Sequence, residues 1–283
     1  MTDHTCTGRI RGASKIIFIA LMLCALATAG CASKYGKQTT KVAHYPDCYA
    51  PIQELRKTEF AVEKSTAAGA VIGGVVGAIT GLIASGGKAS GAIVGGAIGA
   101  AGGGAIGYGL GKSNQDSSDS ARLAEYNSRL DSGIRETNKA TAAAKLARQC
   151  YERQFTVAVS EYKSKHINKE QFRQRYTEVL SGLEEAANIL GQANKNSSQV
   201  VTAYNKAIEK ESEGRGVPST TVRTAARQKK TPSNLNNEEG RQLTRMAEKT
   251  NTMEKSVAAS QQEERLLRER LASTRKQAED LMS

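Results

Sequence analysis

The residues of this chain best placed to do chemistry are its five cysteines, and their contexts assign them different tasks. Cys31 ends the run Leu26-Ala27-Thr28-Ala29-Gly30. Small residues before a cysteine are what lipoprotein signal peptidase accepts, and the thiol then carries diacylglycerol on the new N-terminus. Arg9, Arg11 and Lys15 form a positive leader, and Ile16 to Ala29 is an uncharged run of 14 residues. That length suits an export signal and is short for a transmembrane helix. A second reading stays open. Thr28 stands where lipidation sites usually carry Leu, and Ala27-Thr28-Ala29 also fits an ordinary secretory cut. Ala32 follows the cysteine. No Asp is there to signal inner-membrane retention, so the expected location is the outer membrane, lipid-anchored, with the rest of the chain in the periplasm.

Cys6 and Cys24 leave with a signal of residues 1–30, and if Cys31 holds lipid, Cys48 and Cys150 remain as an even pair. In an oxidising compartment such a pair can bridge. The alternative is two unrelated thiols. Straight helices place the bridge under geometric strain, because Cys150 lies about 46 Å from a helix start near Asp119 and Cys48 about 24 Å from Lys64. A bond within one chain then requires a bend, at the polar loop or at Gly133; otherwise it links two copies.

Other candidate chemistry is thin. His44 and His166 stand far apart and outside any Cys/His cluster with metal spacing, so no metal or cofactor is expected. Glu184-Glu185 and Glu238-Glu239 are carboxylate pairs, but neighbours on a helix diverge, and a solvated charged face explains them. Gly111-Lys112-Ser113 copies the end of a phosphate loop without its strand–loop–helix setting. No catalytic residue is assigned, and a non-enzymatic protein is expected.

The elements that must hold these residues in place are helical. Between Lys64 and Lys88, and again between Lys88 and Lys112, lie 23 uncharged residues. Gly69, Gly73, Gly77 and Gly81 recur every four positions in the first run. Gly91, Gly95, Gly99, Gly103, Gly107 and Gly111 do so in the second. Four residues is close to one turn, so each set forms a bare ridge on which another helix can pack closely. Each glycine costs about 1 kcal/mol of helix propensity against alanine. Membrane or close packing must offset that, and each run is about 35 Å long as a helix, enough for a hydrocarbon core of roughly 30 Å. The reading is a glycine-zipper helical hairpin over residues 67–112, in lipid or buried between protein subunits.

Around it, residues 31–66 read as a polar tether and a short amphipathic helix with Pro51 in its first turn and Ile52, Leu55 and Phe60 on one face. Residues 118–213 read as an antiparallel helical coil. Its first seam is Leu123, Tyr126, Leu130, Ile134, Thr137, Thr141, Ala144, Ala147 or Arg148, Tyr151, Phe155, Ala158 and Tyr162. Asn168, with Gln171 three residues on, caps the return helix, whose seam includes Phe172, Val179 or Leu180, Leu183, Leu190, Ser197, Tyr204 and Ile208. Residues 214–236, with Pro218, Pro232 and five basic side chains, read as a flexible linker. The last stretch, 237–283, alternates steps of three and four through Leu243, Met246, Thr250, Met253, Val257, Ser260, Glu264, Leu267, Leu271, Thr274, Ala278 and Leu281. That is a coiled-coil pattern in search of a partner helix, from another copy or another protein.

The fold class is therefore all-α. Trp is absent, Phe numbers 4 and Gly 27, which favours small-residue helix packing over a deep mixed core. The net charge of +12 falls to +10 once the signal's three basic and one acidic residues are gone. About half of the excess sits in Arg215, Arg223, Arg227, Lys229 and Lys230. In an exported protein such a stretch meets anionic lipid or an acidic partner face, or simply solubilises a linker; no nucleic acid is expected.

Taken together, Cys31, Gly69 to Gly81 and Gly91 to Gly111 resemble the glycine-zipper outer-membrane lipoproteins, including the SlyB-like and rickettsial surface-antigen-like groups. The likeness covers about a third of the chain and ends at Lys112, where a long helical region replaces a small C-terminal domain. It implies a lipid-anchored outer-membrane protein whose hairpin enters the membrane. The partners expected are membrane lipid and other envelope proteins or further copies of the chain. Three roles follow: a structural scaffold, an oligomeric channel or membrane-perturbing protein, and a lipoprotein subunit of a secretion or conjugation apparatus. Thr80, Ser85 and Ser90 are nearly the only polar side chains in the hairpin, which speaks against an aqueous pore.

Overall fold

The computed structural model describes residues 38–61, 119–229 and 235–283; the signal, Cys31, the ten zipper glycines and Lys230 lie outside them. Five helices account for the described residues: α1 (Pro46–Lys57), α2 (Asp119–Lys163), α3 (Lys169–Gly214), α4 (Ser219–Gln228) and α5 (Glu238–Met282). No strand occurs among them, so the chain is all-α there. None of these helices is long and apolar enough to cross a membrane.

The three long helices form one bundle about 68 Å in length at 1.5 Å per residue. α2 and α3 turn back on each other at 164–168, where Lys165 takes a left-handed φ of 61° and Asn168 makes a reciprocal capping box with Gln171. α5 runs parallel to α2. Asn127 meets Gln242 near the start of both helices, and Arg148 meets Glu263 further along. The partner expected from a second molecule is thus supplied by the same chain. The seam residues Leu243, Met246, Thr250, Met253, Val257, Ser260, Leu267, Thr274 and Ala278 are all buried against α2 and α3. At the two ambiguous seam positions the buried residues are Ala147 and Val179.

The core falls into two clusters. One surrounds Tyr151, Phe172, Leu183 and Leu190 near the α2–α3 turn. The other surrounds Leu130, Tyr204, Met246 and Met253 toward the open end. Between them the buried side chains are small or polar, such as Thr137, Ala140, Ser197 and Ser260. Small side chains let backbones approach; at Gly182 the Tyr151 ring fills the space a Cβ would need.

Two expectations are corrected. Residues 214–236 hold helix α4, because Val222, Ala225 and Ala226 recur at three- and four-residue spacing and are buried against α5 and α3. Val217 and Leu235 are buried on either side of it. The backbone of Leu235 crosses so close to Gly240 that a side chain there would collide with it. α1 begins at Pro46 rather than near Pro51, and it ends at Lys57. Proline inside a helix removes a hydrogen bond at a cost of about 3 kcal/mol. Burial of Cys48, Tyr49, Ile52 and Leu55 on one face, at about 1.5–3 kcal/mol for each large side chain, offsets it.

Candidate functional site

The feature that sets this bundle apart from a plain three-helix coil is the segment 38–61, which is laid into the groove between α2 and α3. Residues 39–45 run antiparallel to α3, from Glu185 to Glu178; the chain then reverses, and from Tyr45 to Phe60 it runs parallel to α3 and antiparallel to α2. Tyr45 meets Glu178, Arg56 meets Glu185 and Phe60 meets Asn196 along α3, whereas Cys48 joins Cys150 and Glu59 meets Glu136 along α2.

Two carboxylates of α3 do most of the gripping. Glu178 and Glu185 are seven residues apart, two turns of one face. Glu178 accepts the backbone N–H groups of Ala43 at 3.0 Å, His44 at 2.7 Å and Tyr45 at 2.9 Å. These lie just ahead of α1, outside its hydrogen-bond ladder, and a carboxylate from another helix satisfies them. Glu185 accepts the N–H groups of Thr39 at 3.1 Å and Thr40 at 2.7 Å, and the Thr39 hydroxyl at 2.9 Å. Its other oxygen accepts the Tyr49 hydroxyl at 2.8 Å and the Arg56 guanidinium, whose Nε lies at 2.9 Å. Thr40 adds a contact from Ser181 Oγ at 3.2 Å.

The electrostatics follow from these bonds. Burial pushes the Glu185 carboxyl up. The donors from Thr40, Arg56 and Tyr49 outweigh that and hold it at about 2, against an ordinary value of 4.5. Tyr49 moves the other way, to about 12, through burial and then through its bond to the Glu185 carboxylate. Glu185 is therefore a carboxylate at any physiological pH, with its side chain only 2% exposed. The expectation of a solvated Glu184-Glu185 face is corrected for Glu185; Glu184 alone is exposed.

Cys48 and Cys150 are joined by a disulfide with Cα atoms 5.3 Å apart. α2 runs unbroken from Asp119 to Lys163 through Gly133. A bend is needed for this bond only where the end of α1 adjoins the start of α2. It adjoins the middle: Phe60 packs on Gly133, and the Glu59 N–H donates to Glu136. The bond therefore closes within one chain across straight helices.

Elsewhere, polar groups are spent on structure. His44 and His166 are exposed. Of the five basic residues at 215–230, Arg215 pairs with Glu211 at 2.6 Å and Arg223 donates to Asn205 at 2.6 Å; Arg227 and Lys229 are exposed. Glu238 pairs with Arg241 at 2.8 Å on an exposed face. An open groove of about 540 Å³ between α2 and α5 includes Glu152 and Arg270, which bind each other at 2.8 Å. Among the described residues no group of His, Cys, Asp and Glu is placed to hold a metal ion.

Sequence reading found the cysteines but missed both gripping glutamates. Their signal was position: Glu178 and Glu185 directly precede the buried Val179 and Ala186, on the flank of the apolar stripe rather than opposite it. No family model, curated protein or solved structure matches the chain.

Proposed function

We propose that this chain is a non-catalytic bacterial envelope lipoprotein, held at the outer membrane by lipid on Cys31 and by its glycine-zipper segment. Its helical bundle serves in the periplasm as a scaffold or partner-binding element. The observation that carries this reading is the grip of Glu178 and Glu185 on residues 39–45. With that grip in place, only a short stretch of chain separates the lipid on Cys31 from the body. Here the fastening starts eight residues downstream and is made through backbone donors and a buried ion pair. The Cys48–Cys150 bond adds support, since such bridges persist in oxidising compartments such as the periplasm.

Mass spectrometry of the mature chain from native membranes tests the anchor. The expected N-terminus is a diacylated Cys31, and an unmodified chain starting at Gly30 overturns the reading. The zipper is tested separately by Gly77→Leu and Gly99→Leu, which put bulk on the ridges. Each is expected to weaken membrane retention and assembly.

A further inference from the structure

We infer that the bundle lies along the membrane surface on the side that carries α1 and the first half of α2, and does not stand upright on either end. This rests on the lipoprotein and zipper reading above. Its own basis is where the chain leaves the bundle and how much chain remains to reach the bilayer.

Three tethers are fixed to three different levels of the long axis. The first is the strap: Thr39 and Thr40 bind Glu185, which also binds Tyr49 beside the Cys48–Cys150 bridge. The second is Ala61, buried next to Phe60, which packs at Gly133. The third is Asp119, where α2 begins. From Asp119 the axis rises about 21 Å to Gly133 and about 46 Å to Cys150, at 1.5 Å per residue.

The free chain is short by comparison. Eight steps separate Cys31 from Thr39, at most about 28 Å fully extended. Seven steps separate Lys112, the end of the zipper run, from Asp119, at most about 25 Å. An upright bundle with its Asp119 end on the bilayer leaves the strap about 46 Å up, beyond the reach of Cys31. Inverted, with the α2–α3 turn on the bilayer, Asp119 stands about 66 Å up and the zipper run falls about 40 Å short. Both anchors enter one bilayer only if the axis leans more than about 50° from the membrane normal with every tether at full stretch. With ordinary slack it lies flatter still. The surface so turned to the lipid headgroups carries Lys41, Lys57 and Lys139 together with Asp47 and Glu54, all exposed, and Lys57 pairs with Glu54, so tether length and not surface charge sets the orientation.

The test uses the full-length lipidated chain in phosphatidylethanolamine–phosphatidylglycerol vesicles carrying a headgroup acceptor dye. A donor dye is placed at position 165, on the turn, or at position 236, exposed just before α5 at the open end. Strong energy transfer from both positions is expected. Transfer from only one, with the other lost to a height of about 60 Å or more, means an upright bundle and overturns the inference. A protein that does not float with the vesicles overturns the anchoring reading, and the orientation with it. Cys31→Ser separates the two anchors. Its loss of lipid is expected to lower transfer at position 165 more than at position 236, because the strap lies nearer the turn. Equal or reversed losses contradict the tether geometry.

Discussion

The two halves of the bundle are closed by different means. Toward the α2–α3 turn, the core around Tyr151 and Phe172 is covered by α1 and stapled by Cys48–Cys150, a link across 102 residues. The polar contacts there are equally distant in sequence: Thr40 and Arg56 reach Glu185 across 145 and 129 positions. Toward the open end, α4 and local contacts do the same work. Arg215 binds Glu211 one turn away, and Arg223 binds Asn205 at a separation of 18. Long-range contacts join them: Arg122 ties the start of α2 to Glu211 at 3.0 Å, Asn127 donates to the Gln242 carbonyl at 3.0 Å, Lys249 reaches Asp131 at 2.6 Å, and Tyr126 and Tyr204 meet edge to face at 6.1 Å. One half therefore depends on a covalent bond and on a strap fed from the N-terminal anchor. The other is closed by α4 and by packing and polar contacts between the long helices, without a covalent bond. The division places compartment dependence in the half that receives the anchor.

The largest test removes the bond. Cys48→Ser with Cys150→Ser frees a loop of about 100 residues in the unfolded chain, worth about 4–5 kcal/mol by loop-closure entropy. Denaturant unfolding without reductant should show this loss. Hydrogen exchange should open α1 and the turn half first while Leu243, Met246 and their neighbours stay protected. Equal loosening of both halves would erase the distinction.

Next in size is Glu185→Gln. The amide keeps the shape but withdraws the charge from Arg56 and offers donors where Thr39, Thr40 and Tyr49 need an acceptor. Breaking a buried pair in this way costs about 3 kcal/mol. The pH dependence gives the sign. The Glu185 carboxyl sits at about 2 when folded against 4.5 ordinarily, so its contribution is complete above pH 4.5 and fades as pH falls toward 2. Tyr49, raised from 10.0 to about 12, contributes below pH 10 and loses that contribution as pH rises toward 12. The variant should flatten the acid limb of a stability–pH curve. Glu178 remains, so the strap should loosen at Thr39–Thr40 before it loosens at Ala43–Tyr45.

How much of this could be read beforehand depended on sequence distance. The seam of α5 was legible from Leu243 to Ala278 because a heptad repeat is a local property. The Asn168 cap was legible because its partner is three residues away. What covers the seam was not, since a stripe does not say whether its partner is in the same chain. α4 was hidden because Pro218, Pro232 and the basic residues around Val222, Ala225 and Ala226 carry the composition of a linker. Glu185 was hidden for the opposite reason. A buried acid is defined by its donors, and these come from Thr39, Thr40, Tyr49 and Arg56, more than a hundred residues away.

The smallest effect is expected where the halves meet. Thr250 is fully buried, yet its hydroxyl donates only to the Met246 carbonyl of its own helix, at 2.8 Å. That carbonyl has a helical N–H as well, so Thr250→Val orphans nothing and exchanges a hydroxyl for a methyl. Replacing a locally satisfied hydroxyl with an apolar group of the same shape changes stability by about 1 kcal/mol or less. Thermal unfolding should register little or a slight gain. A loss of several kcal/mol would mean that the polar belt of Thr137, Ser197 and Thr250 holds the register of the three helices. The halves would then be coupled through that belt and not closed independently.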